Sequence, residues 1–149
     1  MDMLIGEYSN TMDDKGRIQF PAKLRSVLNQ ESLIITQGLD ECLMLFTTEE
    51  WASLTAKMEV KASIFDSRKR LVMRRFVAPA QNVEFDKSGR LSIPQSLRDF
   101  ASLNPGGECI IFGMNKYMEL WDAAVFRKFG EESASSVQEA IESMRDILL

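Results

Sequence analysis

The chain contains one thirteen-residue segment twice. The residues from Asp13 to Arg25 return from Asp86 to Arg98 at a constant offset of 73 residues, and six of the thirteen positions are identical. A tandem repeat of this kind predicts two copies of one structural unit. A length of 149 residues favours two fused halves that share one hydrophobic core. We therefore expect a pseudo-twofold molecule that presents the same surface twice.

The repeat continues downstream with a small change of offset. The matched pairs, now 75 residues apart, are Gly38 with Gly113, Asp40 with Asn115, Leu45 with Leu120, Phe46 with Trp121 and Trp51 with Phe126. We place the change in the turn from Asn104 to Gly107, because insertions are tolerated most easily in surface turns.

The charge of the chain is distributed unevenly. The net charge is −4, and residues 131–149 carry five acidic and one basic side chain, so the remainder of the chain is neutral overall. Histidine is absent, which excludes Ser-His-Asp and Cys-His catalysis and histidine-ligated metals. No nucleophile stands beside a base, so an enzyme is the poorest of the function classes. We expect no catalysis, no cofactor, no metal ion and no small-molecule substrate.

The apolar residues predict a protein of the cytoplasm. No apolar run approaches the length that crosses a bilayer, so we expect no membrane contact. Cys42 and Cys109 lie inside apolar runs without the spacing of a metal site or a redox pair. We expect both to be small buried side chains in a reducing compartment.

Each copy predicts a hairpin, a short helix, two strands and a second helix. In the first copy, apolar and polar side chains alternate along residues 8–12 and 17–20, on either side of a charged turn. The turn ends at Gly16, where a positive φ is expected. Pro21 marks the start of the short helix. Residues 33–36 and 42–46 are predicted strands, and the spacing of Thr47 and Glu50 is that of a capping box.

The second copy predicts the same order and adds a C-terminal helix. Asp122 is expected to cap a helix that ends near Gly130, a typical C-terminal residue. A second capping box, from Ser136 to Glu139, is then expected to begin another helix. That helix carries an apolar stripe, which indicates that it needs a partner surface. The stripe consists of Val137, Ala140, Ile141, Met144, Ile147 and Leu148.

Two regions carry enough positive charge to bind nucleic acid. At the hairpin turns, Lys15 and Arg17 in the first copy and Lys87 and Arg90 in the second flank a glycine, which lets the backbone approach a phosphate closely. The alternative is that each turn aspartate simply pairs with the following arginine. Five cations between Arg68 and Arg75 form the other basic region, either a DNA-binding helix or a buried linker helix with arginine-carboxylate pairs across a subunit boundary.

The ordered motifs of the chain resemble the MraZ family of bacterial regulators over residues 1 to about 130. The segments that carry the resemblance are Gly6-Glu7-Tyr8, Asp13-x-Lys15-Gly16-Arg17, Pro21-Ala22-Lys23-Leu24-Arg25, Gly38-Leu39-Asp40-x-Cys42-Leu43-x-Leu45-Phe46, Glu49-Glu50-Trp51, Arg74-Arg75-Phe76 and Asp86-Lys87-x-Gly89-Arg90. The resemblance implies an α+β fold of two tandem AbrB-like swapped-hairpin modules, each a small β-barrel with flanking helices. It also implies a ring-shaped homo-oligomer at the nucleoid that represses the division and cell-wall gene cluster by binding short G-rich direct repeats in double-stranded DNA.

The same resemblance implies which residues contact DNA. Lys15, Gly16 and Arg17 match the family's DNA-reading motif, and Lys87, Gly89 and Arg90 are their candidates in the second copy. Lys23 and Arg25 lie on the helix that follows the first turn, where an ordinary solvated face is favoured over contact with phosphate. Arg17 is the first candidate for reading bases, since arginine can bind guanine O6 and N7 with two hydrogen bonds. Lys15 is expected at phosphate. Ser88 stands where the first copy has Lys15, and Lys87 compensates one position earlier.

The predicted domains are residues 1–60 and 80–130 for the two modules, 61–79 for a linker helix and 131–149 for the acidic C-terminal helix. One alternative function stays open. AbrB-like folds also serve as antitoxins or protein-interaction modules that act through an extended tail, and residues 131–149 fit that role.

Overall fold

The computed structural model describes residues 3–61 and 63–148. Its strands are β1 (Glu7–Thr11), β2 (Arg17–Gln19), β3 (Ser32–Gln37), β4 (Leu43–Phe46), β5 (Gln81–Glu84), β6 (Arg90–Ser92), β7 (Glu108–Gly113) and β8 (Met118–Asp122). Its α-helices are α1 (Ala22–Leu28), α2 (Thr48–Lys61), α3 (Ser67–Val72), α4 (Gln95–Ala101), α5 (Ala123–Ser143) and α6 (Arg145–Leu148). A π-helical segment, Met73–Val77, continues α3.

The main sheet is built from strands of both copies. Its order is β1-β7-β8-β4-β3-β5, with antiparallel pairing throughout. The repeat partners are β1 with β5, β3 with β7, and β4 with β8. If each strand is replaced by its partner, the same order is obtained, read from the opposite edge of the sheet. The pseudo-twofold axis therefore passes between β8 and β4, and the two halves share one core, as the repeat predicted. The α+β fold class is confirmed.

Each predicted hairpin keeps the contacts at its turn, which in the second copy include a Phe85–Leu91 bridge, but forms its strand ladders with the other copy. The turn after β1 leads into β2, but β1 pairs with β7 and β2 pairs with β6, each from the second copy. We call the two-stranded pair of β2 and β6 the ribbon. The alternation of apolar residues fixes which face of a strand is buried, but it does not choose the partner strand. The simple hairpins are thus corrected to exchanged ones, as the family resemblance implied.

The sheet is covered on both faces. On one face, α1, α4 and the ribbon enclose a core whose fully buried residues include Leu33, Leu43, Leu45, Leu91, Leu97, Met118 and Leu120. On the other face, α2 packs on β3 and β4, and α5 packs on β7 and β8. There Phe46 contacts Trp51, and Trp121 contacts Phe126 and Phe129. Two of the predicted helix caps are confirmed. Thr47 accepts a hydrogen bond from the backbone N–H of Glu50 at the start of α2, and Asp122 accepts one from that of Val125 at the start of α5.

Strand register corrects one predicted equivalence between the copies. Leu33 pairs with Val83, and Asn10, the repeat partner of Val83, pairs with Cys109. Leu33 therefore corresponds to Cys109, so the offset between equivalent positions of β3 and β7 is 76 residues. Gly113 therefore corresponds to Gln37 and not to Gly38. The offset returns to 75 in β4 and β8, because the turn between the paired strands is one residue shorter in the second copy.

The helix predicted to end near Gly130 does not end there. Helix α5 runs without interruption through Gly130 to Ser143, so the predicted capping box at Ser136 lies inside it. A glycine inside a helix costs only about 1 kcal/mol relative to alanine. An ion pair between Lys128 and Glu132, at 3.9 Å, spans the glycine and helps the helix to continue.

Candidate nucleic-acid interface

The first turn, residues 13–17, is organised by one carboxylate. Oδ1 of Asp13 accepts hydrogen bonds from the backbone N–H groups of Lys15 at 2.9 Å and of Arg17 at 2.8 Å. Oδ2 accepts from Nε of Arg17 at 2.7 Å. These bonds favour the charged carboxylate, and the backbone bond from Arg17 contributes most to holding the pKa of Asp13 below its usual value. The turn is therefore rigid, with its arginine held at one end.

The second turn, residues 86–90, repeats this geometry closely. Oδ1 of Asp86 accepts from the backbone N–H groups of Ser88 and Arg90, each at 2.9 Å, and Oδ2 accepts from Nε of Arg90 at 2.8 Å. The pKa of Asp86 is lowered, chiefly by the backbone bond from Arg90. The aspartate-arginine pairing weighed as an alternative to DNA contact is thus present in both turns.

This pairing leaves the outer part of each arginine available. Among the described residues, no hydrogen bond engages the two terminal amino groups of Arg17 or of Arg90. About a quarter of the Arg17 side chain and a third of the Arg90 side chain are exposed. The aspartate fixes where the guanidinium points, while its terminal edge remains open to a ligand.

The two glycines shape the turns and do not offer backbone groups to a phosphate. Both have φ of 78°, and their N–H groups donate to Asp13 and Asp86. The carbonyl of Gly16 accepts from Ile93, and that of Gly89 accepts from Phe20. The backbone polar groups of both glycines are therefore used inside the chain.

Each glycine is packed against an arginine of the other copy. A Cβ at Gly16 would lie 2.7 Å from Cζ of Arg98, and a Cβ at Gly89 would lie 2.5 Å from Nη1 of Arg25. Arg98 also donates from Nε to the carbonyl of Ile93 at 2.9 Å. Each turn is thus a composite of both copies. Arg98 was not among the predicted site residues, although its alignment with Arg25 in the repeat was the signal that could have found it.

The ribbon brings the two turns onto one surface. Arg17 lies opposite Ser92 and Gln19 lies opposite Arg90, while Ile18 and Leu91 point into the core. Residues paired in this way share a face, and diagonal neighbours such as Arg17 and Arg90 are about 7 to 8 Å apart. A two-stranded ribbon of this width fits the major groove of B-DNA.

The predicted lysines lie around this surface. Lys15 and Lys87 are exposed in the two turns, and Lys23 is exposed on α1. Arg25 is half-buried, with its guanidinium 4.4 Å from the ring centre of Phe85. Its cation-π contact and its packing on the second turn give Arg25 a structural role.

The basic linker is used mostly within the chain. Lys69 is buried and pairs with Glu59 at 3.2 Å. Arg75 donates from Nη2 to the carbonyl of Gly38 at 2.7 Å and lies over the ring of Phe100. Lys69 is thus held by a carboxylate of its own chain and Arg75 by a carbonyl and an aromatic ring, so both cations have structural roles in the linker, while no subunit boundary is present to test pairs across it.

Three further properties concern metal ligands, helix length and thiols in the part of the chain that the structure describes. It holds no group of three or more histidine, cysteine or acidic residues that could bind a metal. Across residues 3–61 and 63–148, no helix is both long and apolar enough to span a bilayer. Cys42 and Cys109 are buried free thiols. Burial raises the pKa of Cys42 to about 12 and that of Cys109 to about 11, which makes both unreactive.

Comparisons with known proteins agree with the repeat. The family model described as "MraZ protein, putative antitoxin-like" matches twice, over residues 3–75 and 76–147. A Treponema denticola protein named "Transcriptional regulator MraZ" is 46% identical over 144 residues, which is 97% of this chain and 99% of the relative. Proteins of the same name from two Treponema pallidum strains are 38% identical over 97% of this chain and 95% of their own.

One solved structure is weakly similar. A solution structure from Pyrococcus horikoshii aligns with 78% of this chain and 96% of its own length, at 18% sequence identity and a TM-score of 0.36. Such a score is too low to support a conclusion about the fold.

Proposed function

The chain belongs to the MraZ family, and from this premise we propose that it is a sequence-specific DNA-binding transcriptional regulator. The relatives are named transcriptional regulators, and the ribbon places Arg17 and Arg90 on one face, between turns that carry the exposed Lys15 and Lys87. The proposal includes a location in the cytoplasm at the nucleoid.

The ribbon face is the observation that carries this proposal. Arg17 and Arg90 are each fixed at Nε by an aspartate, so each presents its two terminal amino groups outward. Two amino groups in one plane match the O6 and N7 acceptors of guanine in the major groove. Because the aspartates hold the arginines before DNA arrives, little side-chain entropy is lost on binding.

The remaining predicted residues take supporting parts in the proposal. Lys15, Lys87 and Lys23 are exposed and can neutralise phosphates, which positions the ribbon without reading sequence. Gly16 and Gly89 keep the turns in their positive-φ conformation. Arg25 braces the second turn from the other copy.

We further propose that the target is a set of short G-rich direct repeats upstream of the division and cell-wall gene cluster, where binding represses transcription. A pair of guanine contacts in one subunit gives modest affinity. Direct repeats bound by a ring-shaped homo-oligomer would combine several such contacts, so that avidity supplies the rest. In this proposal residues 1–60 and 80–130 act as the DNA-binding modules, 61–79 as their linker and 131–149 as an assembly segment.

A mobility-shift titration with two promoter fragments tests the proposal. One fragment carries the G-rich repeats, and the other replaces their guanines with adenines. We expect tighter binding to the first fragment, and affinity that falls with salt at a log-log slope of about −0.9 per neutralised phosphate. Equal affinity for both fragments would contradict sequence-specific reading, and absence of binding at low salt would contradict DNA binding itself.

An antitoxin-like role is the second candidate function. The matching family description includes that term, and the end of α5 exposes apolar side chains that a toxin could cover. In this role the partner would be a different protein bound through residues 131–149.

A further inference from the structure

The C-terminal part of α5 projects from the body of the protein. We call residues 131–148 the tail. From Gly130 to Leu148 every residue is exposed except half-buried Ser133. Helices of this length are marginal in water unless their apolar side is packed. The tail therefore requires a surface that its own subunit does not supply in this structure.

The apolar side chains of the tail form one stripe. Val137 and Ile141 are four residues apart on α5 and Met144 follows three residues later at its C-terminal cap, which places these three on one side of the helix, while Leu148 lies on the short α6 that follows. Val137 and Ile141 are each half exposed. From Val137 to Met144 the stripe extends about 10 Å at 1.5 Å per residue.

The charge of the tail argues against pairing with another tail. It carries Glu131, Glu132, Glu139, Glu142 and Asp146 against a single Arg145. Two tails side by side would bring acidic residues together, which is unfavourable. A neutral or basic apolar surface is the better match.

Such a surface lies over the first copy. An apolar groove of about 250 Å³ opens between α2 and the linker helix, and its residues include Phe46, Trp51, Leu54, Met58, Val72 and Phe76. Leu54 is 37% exposed and Val72 is 41% exposed at its edges. This volume suits a few apolar side chains better than a drug-sized ligand.

The linker beside the groove is basic. Of the five basic side chains in residues 63–78, Lys69 and Arg75 are bonded inside the chain, which leaves Arg68, Arg70 and Arg74 against Asp66, a net charge of +2 compared with −4 on the tail. Arg68 has a side chain that is 90% exposed, and Arg70 and Arg74 are also exposed. Arg68 precedes the groove residue Val72 by one helical turn, so the apolar groove and this cation complement the stripe and the acids of the tail.

We propose that the tail of one subunit packs into this groove of a second copy of the same chain. The inference rests on the self-association proposed above and names the surfaces that produce it. The tail cannot reach the groove of its own subunit without breaking α5, because Asp122 caps the start of that helix and Phe126 and Phe129 hold its first turns on Trp121. A neighbouring copy is thus the occupant.

The asymmetry of the two copies makes the contact directional. In the first copy α2 ends at Lys61 and the chain returns as α3 and the π-helical segment, which form one wall of the groove. In the second copy α5 continues as the tail. Each subunit therefore has one groove and one tail, and such unlike surfaces join either head to tail into a closed ring or reciprocally into a dimer.

Disulfide trapping tests the contact directly. A chain with Ile141→Cys is mixed with an affinity-tagged, size-shifted chain with Leu54→Cys under mild oxidation, and the control replaces Ile141→Cys by Ser135→Cys on the opposite side of the helix. The native thiols are buried, so the new cysteines dominate the reaction. We expect a disulfide between the two different chains, at least ten times more abundant than in the Ser135→Cys control.

Other cross-linking patterns would overturn the proposal. Links predominantly between two Ile141→Cys chains would show tails that pair with each other. Equal yields from Ile141→Cys and Ser135→Cys would show random collision, and absence of any link would show that the tail does not enter the groove.

Sedimentation of the full chain separates this inference from self-association itself. The wild type is expected to sediment above the 16.9 kDa monomer at micromolar concentration, Ile141→Glu to shift toward the monomer, and Ser135→Glu to match the wild type. An Ile141→Glu variant as large as the wild type would overturn the tail contact and leave self-association intact. A monomeric wild type would contradict both the tail contact and self-association. Loss of DNA binding alone would contradict neither of them.

Discussion

The two turns share their backbone but differ in the residues at their tips. In both, the aspartate accepts two backbone N–H groups and one arginine Nε within about 0.1 Å of the same distances. The tips read Asp14-Lys15 in the first turn and Lys87-Ser88 in the second. The tip side chains point into solvent, so they can differ without disturbing the framework. The comparison separates residues that build the turn from residues that set its charge.

The ribbon itself adds a second difference. Gln19 donates from Nε2 to the carbonyl of Ser88 at 2.8 Å and so ties β2 to the second turn. The repeat partner of Gln19 is Ser92, whose side chain is too short for the same reach. The second turn therefore has a side-chain tie to the ribbon for which the described residues show no counterpart in the first turn.

Removing the turn arginines should have the largest effect on DNA binding. Arg17→Ala is expected to cost about 1 to 3 kcal/mol per engaged subunit and to relax discrimination at the matching guanine, because the bidentate contact is lost. Arg90→Ala should do the same if both turns read DNA equally. Mobility-shift titrations against native and guanine-substituted operators measure this, with thermal melts as a folding control. If Arg17→Ala bound both operators with wild-type affinity, the first turn would have a structural role and would not read DNA.

Substituting the turn glycines should chiefly destabilise the fold. Gly16→Ala places a Cβ at positive φ and within 3 Å of the Arg98 guanidinium, and we expect a loss of about 1 to 3 kcal/mol in the free energy of unfolding. Gly89→Ala meets Arg25 in the same way and should cost a similar amount. Urea unfolding of both variants tests this, with Gly106→Ala as the control, since Gly106 also has a positive φ, of 87°, but an added Cβ there would meet no atom within 4 Å. Unchanged stability in Gly16→Ala would contradict the packing.

Exchanging the tip residues should change affinity without changing specificity. Lys15→Ala is expected to weaken binding to all sequences about evenly and to reduce the salt slope by about one, because a phosphate contact is lost. Ser88→Lys in the second turn should strengthen binding to all sequences about evenly and increase the salt slope by about one. Lys57→Ala, an exposed lysine on α2, serves as the charge control. If Lys15→Ala altered the preference between operators, lysine would be reading bases.

Acid should loosen both turns, and this is the smallest expected effect. The pKa values of Asp13 and Asp86 are lowered from 3.8 in the folded chain, so their contribution is complete above that value and declines as the pH falls through the folded pKa. Melting temperatures between pH 6 and pH 2 should fall less steeply in Asp13→Asn than in the wild type. Identical pH profiles would show that the aspartate is not linked to stability.

Much of the fold could be predicted from the repeat and the alternation of apolar residues. Residues such as Gly16 and Asp122 carry a local signal, because positive φ and helix capping depend on a few neighbouring atoms, and both predictions are confirmed. The α+β class and membership of the MraZ family followed from the ordered motifs, and both are confirmed. The DNA-contacting residues remain predictions.

The errors share one cause. Gly130 looked like a helix end because glycine often marks one, yet α5 continues, since the packing before the glycine and the ion pair across it outweigh its intrinsic cost. Gly113 was matched to Gly38, but strand pairing aligns it with Gln37. In both cases a local pattern was compatible with two arrangements, and contacts distant in sequence selected one.

The sequence by itself determined the duplication, the turn framework and which face of each strand is apolar, because these follow from spacing and from the conformational preferences of single residues. Only the tertiary structure decided that β2 pairs with β6, and that Arg98 packs on the first turn while Arg25 packs on the second. Two copies of one unit offer equivalent edges to each other. The choice between pairing within a copy and pairing across copies depends on how the whole core closes, which no short stretch of sequence encodes.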